Sequence, residues 1–302
     1  MALQKLTGTD AFVFTDLPGA EHADGLVRCA RKVLQDGART MARSRTYSWA
    51  LLERKVSGAS AGINAAPEDR DAAIAGFVSE MQQAVASGSL SLDAGKGVLP
   101  GDLTALAELD RRSPLRLVDG DELLGIGIAA ASTAALGGLA GIRAVIEGGG
   151  TAADAIAAAL VTEGAEVVAS GDGAQVATTA ADLLVCGSKL GLIDHQLAAE
   201  LPHRAIVPCG VAPLTAKGMA VAQRRGIVVV ADFLSLLGPL VSFRPAEGAT
   251  GDSLRVDAAE VVSSIAGEVL GHDDGPYLGA AYRAEAFLAT WQEQLPFGRP
   301  LA

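Results

Sequence analysis

The chain has 302 residues, a formal net charge of −11 and an isoelectric point near 4.8. Half of its residues are apolar, so it can bury a large core and is long enough for two domains. The acidic excess argues against nucleic acid as a partner, because phosphate binding needs a basic surface. Basic residues are spread out, apart from one cluster at Arg28, Arg31 and Lys32 and another at Arg39, Arg43 and Arg45.

The first third of the chain alternates between strand-like and helix-like stretches. Residues 11–17 (AFVFTDL) predict a strand, and residues 25–48 predict a helix. The apolar positions of that helix would be Val27, Val33, Leu34 and Met41. After a strand end and a polar turn in GINAAPEDR, residues 67–88 predict a second helix with an acidic first turn and a glycine stop. Residues 95–110 predict a loop leading into a further helix, and the polar stretch 113–122 predicts a crossing between domains.

The pattern then changes to a regular alternation of strands and helices. Residues 142–172 predict a strand, a glycine turn, a helix, a glycine stop and a second strand. ADLLVC, RAIVPC and GIVVVADFL predict three more buried strands, and TAKGMAVAQRRG predicts a helix between the last two. Short apolar runs separated by helices indicate a parallel sheet covered on both faces. The tail, residues 251–302, predicts helices.

The most specific motif is the glycine turn in VIEGGGTAADAIA. It contains Gly148-x-Gly150-x-x-Ala153, follows a strand and opens a helix at Thr151, and Asp172 comes about twenty residues later. This context predicts a dinucleotide site in which the helix N-terminus faces a pyrophosphate. Asp172 would accept hydrogen bonds from a ribose 2′-hydroxyl and repel a 2′-phosphate, which favours NAD over NADP. The alternative is a glycine-rich turn that binds nothing.

These patterns predict an α/β fold: an N-terminal α/β domain plus a Rossmann-type NAD-binding domain with a doubly wound parallel sheet. We expect residues 1–120 to form a substrate and oligomerisation domain, to which the C-terminal helices of 251–302 return. Residues 121–250 would form the dinucleotide-binding domain.

The order of segments resembles that of the Glu/Leu/Phe/Val (amino-acid) dehydrogenase family over about residues 25–242. The matching stretches of the first half are ARSRTYSWA, VSGASAGI, LPGDLTAL and GIGIAAAS, followed by the glycine turn. Those of the second half are ADLLVCGSKLGLID, RAIVPCGVAPLT and RRGIVVVADFLSLLGPLVSF. The resemblance implies a nicotinamide-dependent oxidoreductase that forms a homo-oligomer. It also implies that Cys186 and Gly187, at the strand and loop over the nicotinamide, bind the cofactor.

The positions that carry the family's chemistry differ in this chain. Ser48 stands where the family has the lysine that holds the substrate carboxylate, and Ser60 stands where it has the catalytic lysine of a glycine loop. Asp102, in the PGD stretch, corresponds to the family's catalytic aspartate. The positions of two family asparagines and one threonine fall on Val211, Leu236 and Leu124. Because a serine cannot replace an ammonium group in a dry site, oxidative deamination of ordinary α-amino acids should be very poor or absent.

Three hypotheses for the function follow. The first is a diverged NAD-dependent oxidoreductase that acts on an amine, imine or carbonyl compound without the usual α-carboxylate. Asp102 would be its general acid/base, and Ser48 and Ser60 its polar contacts. The second is a non-catalytic protein that keeps the fold to bind a nucleotide or a partner. A third possibility is another Rossmann-type enzyme. Lys55, Arg54 or Lys96 could supply a relocated charge, although exposed loop positions are the simpler interpretation.

The remaining features argue against several other classes of protein. Cys29, Cys186 and Cys209 form neither a CxxC motif nor an even framework, which predicts a reduced, cytoplasmic setting. The start MALQKLTGTD has no secretory signal pattern. Residues 123–142 lack charge but are rich in Ala, Gly, Ser and Thr, so a packed helix is expected rather than a membrane span. His195, His203 and His272 lack metal-binding spacing, so no metal site is predicted.

Overall fold

The structure is a computed structural model that describes residues 1–17, 19–112, 117–148, 151–243 and 245–302. The chain divides into two compact units. Unit 1 comprises residues 1–114 and 287–300, and unit 2 comprises residues 115–286 and 301–302. This division differs from the expectation that the whole of 251–302 returns to the N-terminal domain, because residues 251–286 belong to unit 2.

Unit 1 is built on a mixed five-stranded sheet. Its strands are β1 (Ala2–Lys5), β2 (Ala11–Thr15), β3 (Ala23–Ala30), β4 (Ser57–Asn64) and β5 (Leu90–Ala94). They lie in the order β1-β2-β4-β3-β5. Strands β1 and β2 and strands β2 and β4 pair antiparallel, whereas β3 pairs parallel with both β4 and β5. The sheet therefore places the C-terminal ends of β3, β4 and β5 along one edge.

Two helices cover the two faces of this sheet. Helix α1 (Gln35–Leu51) packs on the face that carries Phe12 and Phe14, and helix α2 (Arg70–Ser87) packs on the face that carries Val27 and Ile63. Helix α2 is preceded by a 3₁₀ turn at Pro67–Asp69 and ends at Gly88 in the left-handed conformation, as its glycine stop predicted. A 3₁₀ turn at Pro100–Leu103 and the short helix α3 (Thr104–Ala107) follow β5.

The predicted helix over residues 25–48 is wrong in its first part. Residues 23–30 form β3 between two other strands, and the helix starts only at Gln35. Gly25 shows why a strand forms there, since a Cβ at Gly25 would lie 1.9 Å from the Ala59 carbonyl oxygen on β4. Because the two backbones approach this closely, there is no room for a side chain at position 25.

Unit 2 contains a wholly parallel sheet. Its strands are β6 (Arg143–Glu147), β7 (Glu166–Gly171), β8 (Leu183–Cys186), β9 (Ala205–Pro208) and β10 (Val228–Val229). The order β10-β9-β8-β6-β7 puts the first strand between the second and the third. Right-handed connections that run in opposite directions from β6 place helices on both faces, which is the doubly wound Rossmann-type arrangement. The connecting helices are α5 (Thr151–Thr162), α6 (Ala174–Ala177), α7 (His195–Glu200) and α8 (Ala216–Arg224).

The remaining elements of unit 2 pack around the sheet. Helix α4 (Gly120–Leu136) precedes β6, while α9 (Asp232–Ser235), a 3₁₀ segment (Gly238–Phe243), α10 (Gly251–Val269) and α11 (Pro276–Leu288) follow β10. Helix α10 packs against α4, and Arg255 on α10 pairs with Glu122 on α4 at 2.6 Å. This packing holds residues 251–269 in unit 2. Within the described ranges, no helix is long and apolar enough to cross a membrane.

Candidate functional site

The glycine turn after β6 lies at the point of unit 2 where the strand order reverses. Strand β6 ends at Glu147, and Gly148 then adopts φ of 152° and donates its N–H to the Gly171 carbonyl at 3.0 Å. In open α/β sheets, ligands bind outside the carboxyl ends of the strands at such a switch point. The turn predicted from the sequence is therefore where a dinucleotide would approach.

Among the described residues, little lies next to the glycines at this edge of the sheet. A Cβ placed on Gly148 would have the Cys209 sulfur as its nearest described neighbour, at 4.0 Å, and a Cβ placed on Gly173 would have no described atom within 4 Å. Asp172 lies between β7 and α6 and is exposed to solvent. Glycines with so few neighbours and an exposed carboxylate fit a pyrophosphate and an adjacent ribose.

Of the three remaining residues of the dinucleotide motif, the structure describes Ala153 in full and Thr151 only by its backbone. Ala153 is 6% exposed on α5, so it keeps that helix packed close to the sheet. The close packing extends to α4, since a Cβ at Gly125 would lie 2.6 Å from the Ala155 carbonyl oxygen. Gly150 lies outside the described residues, as does the side chain of Thr151, the first residue of α5.

Glu147 is a feature of this edge that the motif search missed. Its side chain is fully buried, and its carboxyl group accepts hydrogen bonds from Gly173 N at 2.9 Å, Gly187 N at 3.1 Å and Ser188 N at 3.2 Å. The Ser188 hydroxyl also donates to it. Glu147 therefore ties the end of β6 to the loops that follow β7 and β8. A carboxylate directly after the apolar run of residues 144–146 is the sequence signal that could have revealed it.

Cys186 and Gly187 lie in closely packed surroundings. Cys186 is 0% exposed, and burial raises the pKa of its thiol well above its usual range. A Cβ at Gly187 would lie 2.2 Å from the Gly210 nitrogen, so these two loops touch backbone to backbone. Because the Cys186 thiol is enclosed, the predicted contact of Cys186 with a cofactor would have to be made by its backbone, and it stays a prediction.

Cys209 lies just beyond β9, near the glycine turn. Burial raises the pKa of its thiol to about 12, and the Glu147 carboxylate beside it acts in the same direction. All three cysteines are free. A thiol with so high a pKa stays protonated at neutral pH and is a poor nucleophile.

In unit 1, Ser60 lies in the middle of a strand and not in a glycine loop as predicted. It belongs to β4, paired in register with Phe14 on β2 and with Leu26 on β3. The residue is 0% exposed, and its hydroxyl has no hydrogen-bond partner among the described residues. Its position therefore differs from that of a side chain on an exposed catalytic loop.

Ser48 is also buried. It lies on α1 and is 2% exposed, and its hydroxyl donates to the Ser44 carbonyl oxygen at 3.2 Å. A helix serine that bonds to the carbonyl four residues earlier satisfies its polar group within the helix. Neither predicted polar contact is accessible to a substrate without rearrangement.

Asp102 is held by its own turn and by an arginine. Its carboxylate accepts the Leu99 N–H at 2.7 Å and pairs with Arg70 at the start of α2. The Leu99 hydrogen bond, and secondarily Arg70, lower the pKa of Asp102 below its usual range despite opposing desolvation. A general acid needs a pKa near the working pH, so this environment favours a permanently ionised carboxylate.

The structure does not bring Asp102 and Ser60 together on one face. Ala59 and Ala61 belong to the core cluster that includes α2 residues, so Ser60 points to the opposite face, that of α1. Asp102 pairs with the first residue of α2. The predicted acid/base and the predicted contact thus lie on different sides of the sheet.

The other candidates are exposed or apolar. Arg54, Lys55 and Lys96 are exposed, in agreement with the simpler interpretation. The three family positions Val211, Leu236 and Leu124 are half-buried apolar residues. His203 is 4% exposed, and burial lowers its pKa to about 4. Among the described residues, no group of three or more His, Cys, Asp or Glu side chains could hold a metal ion.

Comparison with solved structures shows which fold this is. A hetero-hexameric glutamate dehydrogenase from Thermus thermophilus, in its Leu-bound form, superposes with a TM-score of 0.77 at 17% identity, over 92% of this chain and 83% of its own. L-tryptophan dehydrogenase from Nostoc punctiforme gives 0.69 at 12% identity and covers 97% of both chains. A further glutamate dehydrogenase gives 0.76 at 15% identity, over 94% of this chain and 81% of its own.

Sequence comparisons add no closer relative. No protein-family model matches the chain, and no curated protein matches it significantly. At identities this low the structural matches establish shared architecture and nothing finer. The chain therefore has the α/β fold of amino-acid dehydrogenases, with a Rossmann-type second unit.

Proposed function

We propose that this chain is a dehydrogenase-like oxidoreductase that binds a nicotinamide dinucleotide in unit 2, NAD in preference to NADP. The observation that supports this most directly is Gly148, with positive φ, at the switch point of a parallel sheet, together with the exposed Asp172 after the next strand. The shared fold of the glutamate and tryptophan dehydrogenases adds support.

Gly148, Asp172 and Glu147 of unit 2 would each have a defined role in binding the dinucleotide. The backbone at Gly148 lets the pyrophosphate approach closely, and the N-terminus of α5 stabilises its negative charge. Asp172 accepts hydrogen bonds from the ribose hydroxyls and repels a 2′-phosphate. Glu147 orients the two loops that follow β7 and β8 through their backbone N–H groups. A bound nicotinamide supplies hydride transfer.

Unit 1 would supply the substrate side and contacts between subunits in a homo-oligomer. With serine at positions 48 and 60, the proposed substrate is an amine, imine or carbonyl compound that is not held by an ammonium group at those positions. Asp102 could accept a proton only after Arg70 releases it, because the ion pair stabilises the charged carboxylate. Turnover would therefore require unit 1 to rearrange around Asp102.

The second candidate is a protein that binds the nucleotide without turnover. The environment of Asp102 favours this second candidate, because the predicted acid/base already accepts the Leu99 N–H and pairs with Arg70. Ser48 and Ser60, the two predicted substrate contacts, are both buried. The two candidates share the nucleotide site and differ in whether hydride is transferred.

Titration of the protein with NADH and NADPH, followed by nicotinamide fluorescence, tests the proposal. We expect saturable NADH binding that Asp172→Ala weakens about tenfold, the effect of losing one charged hydrogen bond. Glu163→Gln, which removes an exposed acid just after α5, is the matched control and should leave affinity unchanged. No binding of either dinucleotide at millimolar concentration would refute the proposal. Binding without oxidation or reduction of any amine or carbonyl compound would favour the second candidate.

A further inference from the structure

Arg28 lies on β3 close to the edge where β3, β4 and β5 end. It pairs in register with Gly62 on β4, and on the other side a Cβ at Gly95 would lie 3.1 Å from its Cγ. The space above Gly62 is filled by Phe12 and Val33, whose carbon atoms come within 2.8 Å of a Cβ placed there. The Arg28 Cγ thus lies close to the backbone at Gly95, while apolar groups fill the space above Gly62.

The guanidinium of Arg28 has two unused donors. Its Nε and Nη2 atoms are buried and have no hydrogen-bond partner in the part of the chain that the structure describes. These are the same two nitrogens with which Arg43 binds Asp16 side-on, at 2.7 Å and 2.8 Å. In that geometry two parallel N–H groups match the two oxygens of a carboxylate. Arg28 therefore presents the carboxylate-binding edge of its guanidinium without a carboxylate.

Other arginines of unit 1 show that this is unusual. Arg43, Arg45 and Arg112 each pair with buried or half-buried aspartates. On the face of Arg28, the acidic residue of β5 is Asp93, which is in register with Leu26 and is held by Arg112 at 3.2 Å. Burial without a partner lowers the pKa of Arg28, yet a guanidinium remains charged at neutral pH. A buried, unpaired cation is stabilised when an anion reaches it.

Ser60 adds a second unused polar atom beside this cation. It pairs with Leu26, which is two residues before Arg28 on the same face of β3, so Ser60 and Arg28 are diagonal neighbours on adjacent strands. The Ser60 hydroxyl is buried and has no partner among the described residues. Two residues with buried polar atoms that have no partner among the described residues therefore occupy diagonal positions on one face of the unit 1 sheet.

We propose that Arg28 and Ser60 form a binding site for a small apolar carboxylate. The carboxylate would accept two hydrogen bonds from Arg28, Ser60 would bond to one of its oxygens or to a polar group next to it, and the apolar part would contact Leu26. Arg28 as a whole is half-buried, so a modest shift of its side chain opens the fork to solvent. The site lies within unit 1 and does not depend on nucleotide binding in unit 2.

The proposal also narrows the proposed function. If the carboxylate is the substrate, Arg28 holds it in place of the ammonium groups that positions 48 and 60 lack. The substrate could then carry a carboxylate after all, which the sequence alone argued against. The two proposals fail separately, because carboxylate binding is measured without dinucleotide.

The test is thermal unfolding and calorimetric titration with 3-methylbutanoate and phenylacetate, each compared with its uncharged primary amide. We expect both carboxylates to raise the melting temperature of the wild-type protein and the amides to leave it unchanged. Arg28→Lys, which keeps the charge but loses the fork, should bind at least about tenfold more weakly. Ser60→Ala should weaken binding by about threefold to tenfold. Arg31→Gln, at an exposed position of the same basic cluster, should bind as the wild type does.

Arg28→Met separates binding from folding. Because the guanidinium is unpaired in the free protein, this variant should unfold at the same or a higher temperature without ligand, and carboxylates should no longer shift it. The proposal is overturned if the carboxylates leave the wild-type protein unshifted, if the amides act equally well, or if Arg28→Lys and Arg28→Met respond as the wild type does.

Discussion

The two units of this protein treat buried polar groups in opposite ways. Unit 1 buries side-chain ion pairs, such as Asp16 with Arg43 and Asp24 with Arg45 and Arg112. Unit 2 satisfies its buried carboxyl group at Glu147 with backbone N–H groups and leaves glycines open at the same edge. In unit 2, the backbone N–H groups thus take the place of a side-chain cation as partners of the buried carboxyl group. In unit 1, by contrast, the side chains predicted to contact the substrate, Ser48 and Ser60, are buried.

The largest effect we predict tests the ion pairs of unit 1. Arg112→Met leaves Asp24, Asp93 and Asp110 without their shared cation, and should lower the free energy of unfolding by about 3 to 5 kcal/mol. Urea unfolding measures this loss. Arg111→Met, at the exposed neighbouring position, is the control and should change stability by less than about 0.5 kcal/mol. Equal losses in the two variants would mean that the network does not hold unit 1 together.

A pH dependence is predicted for unit 2. His203 has a pKa of about 4 when folded, against 6.5 when exposed, so the unfolded chain binds more protons between these values. Stability should therefore fall as the pH drops from about 6.5 to 4, by up to about 3 kcal/mol, and this loss should level off below pH 4. His203→Gln should flatten that part of the profile in thermal unfolding scans. A wild-type profile identical to that of the variant would show that His203 is not buried in its neutral form.

Glu147 should matter to both the stability of unit 2 and its ligand. Glu147→Ala removes the acceptor of the Gly173 and Ser188 N–H groups and one of the two acceptors of the Gly187 N–H group, which should cost about 2 to 3 kcal/mol. NADH affinity should fall with it, because the loops that follow β7 and β8 lose their common anchor at the end of β6. Chemical unfolding and NADH titration of the same preparation measure both effects. Unchanged stability would show that Glu147 does not organise these loops.

The smallest effect is predicted at Asp102. Asp102→Asn weakens the cap at Leu99 and the pair with Arg70, both near the surface, and should lower stability by about 1 kcal/mol. A double-mutant cycle with Arg70→Gln, followed by urea unfolding, should give a coupling much smaller than that of the buried pairs of unit 1. If Asp102→Asn instead raised stability and abolished a dinucleotide-dependent reaction, Asp102 would be a catalytic residue held in strain.

The sequence predicted unit 2 better than unit 1 for a physical reason. In β6, α5 and β7, each change of structure coincides with a glycine, so local chemistry and final fold agree. In β3, the apolar residues happen to fit a helical period, and the decisive fact is the close approach of Gly25 to Ala59 on another strand. A contact between strands far apart in sequence leaves no local signal. Strand β5 (LSLDA) was missed because it has only two large apolar residues, Leu90 and Leu92, and gives a weaker apolar pattern than β2 (AFVFT).

The candidate site shows the same division. The sequence could place Gly148 at the end of β6 and Asp172 after β7, because a glycine turn between a strand and a helix has a fixed spacing, but their role in binding stays a prediction. The environments of Ser60 and Asp102 could not be foreseen, because they depend on which face of a sheet each side chain occupies and on partners such as Arg70. The unpaired fork of Arg28 was likewise hidden, since only the structure shows that no described acid reaches it.

The measurement that tests the central claim most directly is amide hydrogen exchange of the protein with and without saturating NADH. We expect slowed exchange in the peptides that contain Glu147, Gly148 and residues 171–173, since these line the proposed dinucleotide site. Protection confined to unit 1, or none anywhere at saturating NADH, would contradict the assignment of unit 2 as the half that binds the dinucleotide.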